Sequence, residues 1–91
     1  MTLEFLMSQK VREILFELIW GDRFEKDLVD RISDKDTFND IRDRLLKENL
    51  VFQFMGENQR PYISLTDKGS AVVNRLNEIE RIMEGEDIDT E

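Results

Sequence analysis

Apolar residues recur at Val11, Ile14, Leu15, Leu18 and Ile19, and intervals of three and four put five such side chains on one face of a helix. Leu3 and Met7 join the same stripe if that helix starts at Thr2; Ser8 is the alternative N-cap. Phe16 and Trp20 are spaced i,i+4 on the side away from the stripe, and Phe5 projects with Phe16 in the longer version, so a second apolar surface is expected. Gly21 and Asp22 then break the helix. Asp22 followed by Glu25 has the form of a capping box, and Phe24, Leu28 and Ile32 share a face of the helix it would open. After a polar turn over 33–36, Phe38, Ile41 and Leu45 repeat at helical spacing. This third helix reaches Asn49, a residue type that substitutes for glycine in the left-handed position ending a helix.

From Leu50 the period changes to two. Leu50, Phe52 and Phe54 alternate with Val51, Gln53 and Met55; turn-forming residues occupy 56–60, and Pro61, Tyr62, Ile63, Ser64 and Leu65 supply a second strand. Proline lacks an N–H, and its place at the start of a strand fits a two-stranded hairpin. Thr66 has the chemistry of an N-cap, and Val72, Val73, Leu76, Ile79, Ile82 and Met83 give the last helix its apolar face. Residues 84–91 hold the acids Glu84, Glu86, Asp87, Asp89 and Glu91 and no base, the composition of a disordered, solvated tail. The expected organisation is one domain over 1–83 and an acidic tail over 84–91.

Composition narrows the chemistry. The 91 residues include no Cys and no His, which removes disulfides, thiol nucleophiles, imidazole bases and zinc fingers. Ser8, Ser33, Ser64 and Ser70 therefore have no imidazole to activate them, and no spacing singles out a carboxylate pair, so neither an enzyme nor a cofactor is expected. The tail acids are hard oxygen donors but lack the glycine-bearing loop of a calcium-binding hand, and no metal site is assigned. No apolar run approaches the ~20 residues that span a bilayer, so a cytoplasmic protein without a membrane partner is expected. A formal net charge of -8 opposes nucleic-acid binding by bulk electrostatics, so the placement of charge matters more than its sum. Through residue 83 there are 16 acids and 13 bases, a net of -3, which leaves the body only mildly acidic.

The order helix, helix, turn, helix, hairpin, helix over residues 11–76 resembles the winged helix-turn-helix, an α+β, mostly helical fold with three helices, a two-stranded wing and a long C-terminal helix. Two phrases carry the likeness. Leu45, Leu46, Lys47, Glu48, Asn49, Leu50 and Val51 are similar to the family's passage from recognition helix into wing. Leu65, Thr66, Asp67, Lys68 and Gly69 resemble its L-T-x-x-G junction, common in the MarR and PadR groups of prokaryotic and archaeal regulators. The junction also has a physical reading of its own: Thr66 caps the helix, and Gly69, having no Cβ, lets the first turn approach a neighbouring backbone. Arg42 departs from the family pattern by standing on the inward side of the third helix, as does Asn49 by replacing the commoner glycine.

The resemblance implies a dimeric regulator of transcription whose third helix and wing meet double-stranded DNA. Its contact residues would be Lys35, Asn39, Arg44 and Lys47 on the helix and Asn58, Gln59 and Arg60 on the wing. The residues opposite the core stripe of that helix are Asp36, Asp40, Asp43 and Lys47. Three are acids, and a carboxylate facing phosphate at ~4 Å costs on the order of 1 kcal/mol even in water. The alternative is a winged helix that docks this acidic face on a basic protein partner. A plain solvated face, with Asp40–Arg44 and Asp43–Lys47 paired at i,i+4, accounts for the stripe as well. Phe5, Leu6, Phe16, Trp20, Ile79, Ile82 and Met83 exceed the needs of one small core and are the expected homodimer surface.

Overall fold

The helical period of the first third of the chain closes into two helices. In the computed structural model, which describes residues 2–85, α1 (Thr2–Leu6) and α2 (Gln9–Leu18) are separated at Met7 and Ser8. Ser8 takes the extended N-cap conformation of α2, though its side chain makes no capping bond. The break turns Leu6 into the core and leaves Leu3 and Met7 exposed, so the stripe does not run unbroken from Thr2. Val11, Ile14, Leu15 and Leu18 are buried as their spacing requires. Ile19 and Trp20 lie beyond the end of α2, and Trp20 is 78% exposed.

A short strand, β1 (Arg23–Phe24), precedes α3 (Glu25–Ile32). It corrects two expectations. The residue capping α3 is Phe24, without a side-chain bond, so Asp22 and Glu25 form no capping box. Phe24 is likewise not part of a helix face, because its backbone pairs with Tyr62. Glu25 serves elsewhere: its carboxylate accepts hydrogen bonds from Arg42 and Gln53, joining α3 to the next helix and to the sheet. Ser33 ends α3 in the left-handed conformation, with φ of 67°.

Helix α4 (Lys35–Lys47) is the third helix of the sequence pattern. Asp34 starts it by accepting the N–H groups of Asp36 and Thr37 at 3.1 and 3.3 Å on one oxygen and the Thr37 hydroxyl at 2.7 Å on the other. Phe38, Ile41 and Leu45 face the core, and Phe38 has no exposed surface at all. Asn49 ends the passage out of the helix with φ of 62°, where only glycine and a few short polar residues sit without much strain.

Strands β2 (Val51–Met55) and β3 (Pro61–Leu65) form the hairpin, paired from Val51–Leu65 to Met55–Pro61. The sheet has three strands, not two, because β1 pairs along the free edge of β3 in the order β1-β3-β2. The register puts Ile63 and Gln53 on the helix side, with Ile63 buried. Phe24, Tyr62, Phe54 and Phe52 line the other face. Their rings follow one another at centroid spacings of 5.1, 5.5 and 5.9 Å. A 3₁₀ turn, Glu57–Gln59, closes the loop, and Asn58 and Gln59 both have positive φ.

Helix α5 (Asp67–Met83) returns across the domain, burying Gly69, Val73 and Leu76. Its start is welded to the root of the wing. The Thr66 hydroxyl accepts the Gly69 N–H at 2.9 Å and donates to the Asn49 carbonyl at 2.7 Å, while the Thr66 N–H donates to the Leu50 carbonyl at 3.0 Å. A Cβ on Gly69 would stand 1.9 Å from the Leu50 carbonyl oxygen, which accounts for glycine at this place. The core holds fifteen apolar residues drawn from every helix, from β2 and β3 and, at Leu50, from the link between α4 and β2, and among the described residues no charged or polar residue is buried with them. Of the acidic tail, the described residues include only Glu84 and Gly85; the disorder expected over 84–91 otherwise lies outside them.

Candidate nucleic-acid interface

The surface formed by α4 and the hairpin follows from the core. Burying Phe38, Ile41 and Leu45 forces Asp36, Asp40, Asp43 and Lys47 to the solvent side of α4, and all four are exposed. Lys35 stands exposed in the first turn, and Asn39 is half-buried at the flank. The i,i+4 pairs expected on this face do not form. Arg44 donates instead to Glu48 at 3.1 Å, and its guanidinium lies 4.8 Å from the ring centroid of Phe5. Asp43 is held at 3.0 Å by Arg42, its neighbour in sequence.

The cations assigned to DNA contact thus divide into two sets. Lys35, Lys47 and Arg60 have no acidic partner among the described residues. Arg44 is committed to Glu48 and to Phe5, so two residues given separate roles, Phe5 for dimerisation and Arg44 for DNA, meet within one chain. Glu25 and Asp43 are the reason α4 tolerates a cation, Arg42, near its inward side. Burial alone would disfavour its charge, but hydrogen bonds to Asp43 and Glu25 more than offset that and raise its pKa. Its guanidinium also lies 5.9 Å from the Phe38 ring centroid.

On the wing, Asn58 and Gln59 occupy the turn, both exposed and both with left-handed backbones. Arg60 is differently placed. It follows the turn and folds back over Phe24, with its guanidinium 5.0 Å from the ring centroid. The wing cation therefore stands at the turn end of the hairpin, folded back against β1. Phe24 was hidden from the pattern because a two-residue strand carries no period.

The residues assigned to dimerisation are scattered in burial. Leu6 is 8% exposed and belongs to the chain's own core, and Phe5 and Phe16 pack partly buried against that core. Trp20, Ile79, Ile82 and Met83 are exposed. Met7, Leu76, Ile79 and Met83 line a shallow cavity together with Arg12 and Glu80, which themselves meet at 3.5 Å across α2 and α5. Among the described residues there is no group of acidic side chains arranged to hold a metal ion, and no helix is long and apolar enough to cross a membrane.

Helix-turn-helix, paired wing strands and a long closing helix define the winged helix-turn-helix fold, and the chain has it. Solved structures of the same shape bear this out. MepR, a transcription regulator of the multidrug efflux pump MepA in Staphylococcus aureus, superposes with a TM-score of 0.77 at 19% identity, over 89% of this chain and 63% of MepR. The MepR–DNA complex gives a TM-score of 0.75 at 18% identity, over 90% of this chain and 71% of that one. AF1382 from Archaeoglobus fulgidus matches over its whole length and 94% of this chain, with a TM-score of 0.76 at 21% identity. The transcriptional regulator BldR from Sulfolobus solfataricus gives 0.75 at 21%, over 91% of this chain and 64% of its own. The chain thus spans less than two thirds of BldR and of the MepR chain in the first of these structures. No protein-family model matches the sequence, and no curated protein matches it by sequence.

Proposed function

We propose that the protein is a dimeric DNA-binding regulator of transcription, working in the cytoplasm, with α4 and the wing turned to the duplex. The observation that carries this reading is that Lys35 and Lys47 at the two ends of α4, and Arg60 on the hairpin, lack acidic partners among the described residues. They stand on the two elements through which winged helices meet DNA. A fold shared with a protein solved on DNA supports it. Asn39, Asn58 and Gln59 supply uncharged donors beside them, while Arg44 contributes by holding α1 against α4. For the dimer, exposed Ile79, Ile82 and Met83 on α5, with Met7 sharing a cavity with Ile79 and Met83, offer apolar surface to a second copy. Light scattering at high concentration is expected to give twice the chain mass, and Ile82→Lys to return it to one.

Asp36 and Asp40 favour a second reading, because both are exposed with no cationic partner among the described residues. On that reading α4 docks on a basic protein. Neutralising the face with Asp36→Asn, Asp40→Asn and Asp43→Asn separates the two. If α4 approaches phosphates, the triple variant binds random duplex roughly tenfold or more tightly, since each removed repulsion is worth on the order of 1 kcal/mol. An unchanged affinity means that α4 does not face DNA and leaves the acidic surface to a protein.

A further inference from the structure

We propose that Lys26 and Arg60 together hold a single phosphate group in the cavity walled by Phe24 and Pro61. The cavity measures about 320 Å³ and lies where the first turn of α3 meets the first residue of β3. Its four lining residues are Phe24, Lys26, Arg60 and Pro61, so two cations border it and no acid does. Neither cation has an acidic partner among the described residues, and both are exposed. In a chain of net charge -8, two such cations on one concavity form a local reversal of sign, and an anion is its complement.

Arg60 is also held ready. Its guanidinium rests 5.0 Å from the Phe24 centroid, and that ring is braced in turn by Tyr62 at 5.1 Å, with Phe54 behind at 5.5 Å. A guanidinium already held over an aromatic ring loses less rotamer freedom when its N–H groups take up an acceptor. Phosphate oxygens suit the pair, the planar fork of Arg60 taking two and the ammonium of Lys26 a third. The site rests on the DNA-binding reading for its source of phosphate, namely one backbone phosphate of a duplex engaged by the wing. Free inorganic phosphate offers the same chemistry.

Anisotropy of a labelled 20-base-pair duplex across several salt concentrations tests this with Lys26→Ala, Arg60→Ala and the double variant. Each single change is expected to weaken binding roughly three- to tenfold. The double variant is expected to flatten the log–log salt slope by about one, because both cations share one phosphate. A slope change near two would place them on separate phosphates and overturn the shared site. Wild-type binding with no effect of Lys26→Ala overturns it too, and leaves the DNA reading standing. Amide shifts under inorganic phosphate, against a chloride control at equal ionic strength, read the site without DNA. Saturable shifts at Lys26 and Arg60 with no duplex binding would keep the anion site and discard its source; no shifts and no duplex binding would discard both.

Discussion

Replacing Gly69 by alanine sets two effects of opposite sign against each other. Helix propensity favours alanine over glycine inside a helix by about 0.8–1.0 kcal/mol. Against this, the added Cβ would lie 1.9 Å from the Leu50 carbonyl oxygen and 2.9 Å from its carbon, both backbone atoms at the entry to β2. That oxygen cannot swing aside, because it already accepts the Thr66 N–H at 3.0 Å. Relief requires the first turn of α5 to move away from the wing root by more than an ångström, which strains the Thr66 bonds to Gly69 and Asn49. Overpacking of this kind costs typically 1–3 kcal/mol, and losing the cap about 1 kcal/mol more. The net destabilisation expected is roughly 2 kcal/mol, or about 10 °C in the melting midpoint of a domain this size. Thermal melting followed by circular dichroism reads it directly, with Ser70→Ala, one residue on at an exposed position, as the control. A midpoint for Gly69→Ala equal to or above that of the parent would refute the close approach of α5 to β2.

Two further outcomes test the packing. Asp34 has a pKa below the ordinary aspartate value, chiefly through the Thr37 hydroxyl and then the Thr37 N–H, with smaller help from the Asp36 N–H and Lys10. A depressed carboxylate adds stability that is complete above about pH 4 and is lost as pH falls through its folded-state pKa. Urea midpoints measured downward from pH 5 should therefore drop less steeply in Thr37→Val than in the parent, and parallel curves would remove Asp34 from the acid response. Leu6→Ala should cost about 2–4 kcal/mol because Leu6 is buried, whereas Trp20→Ala, at an exposed site, should stay within about 0.5 kcal/mol in denaturant unfolding of the dilute protein.

Long periodic elements are legible in the sequence itself. The faces of α2 and α4, both hairpin strands, the left-handed Asn49 and the Thr66–Gly69 junction follow from spacing and residue type, since each satisfies a local rule and a tertiary one together. What escaped was short or depended on distant partners. Strand β1 has two residues and no period, so Phe24 read as part of a helix and the sheet lost its third strand. Glu25 looked like a capping residue because the local pattern could not reveal Arg42 seventeen residues on. Arg44, expected either as a DNA contact or as the partner of Asp40, pairs forward with Glu48 and lies on Phe5 of α1, a contact that local spacing does not show. The placement of Arg60 against β1 escaped through the same gap, because the ring beneath it belongs to that two-residue strand.

Binding of the unmodified protein to random duplex DNA as a function of salt tests the central claim most directly. The account predicts a dissociation constant in the range of about 10⁻⁴ to 10⁻⁶ M near physiological salt, tightening as salt is lowered, with a linear log–log slope reporting several phosphates neutralised. No change in fluorescence anisotropy at tens of micromolar protein in low salt would contradict it, leaving a winged helix whose partner is not DNA.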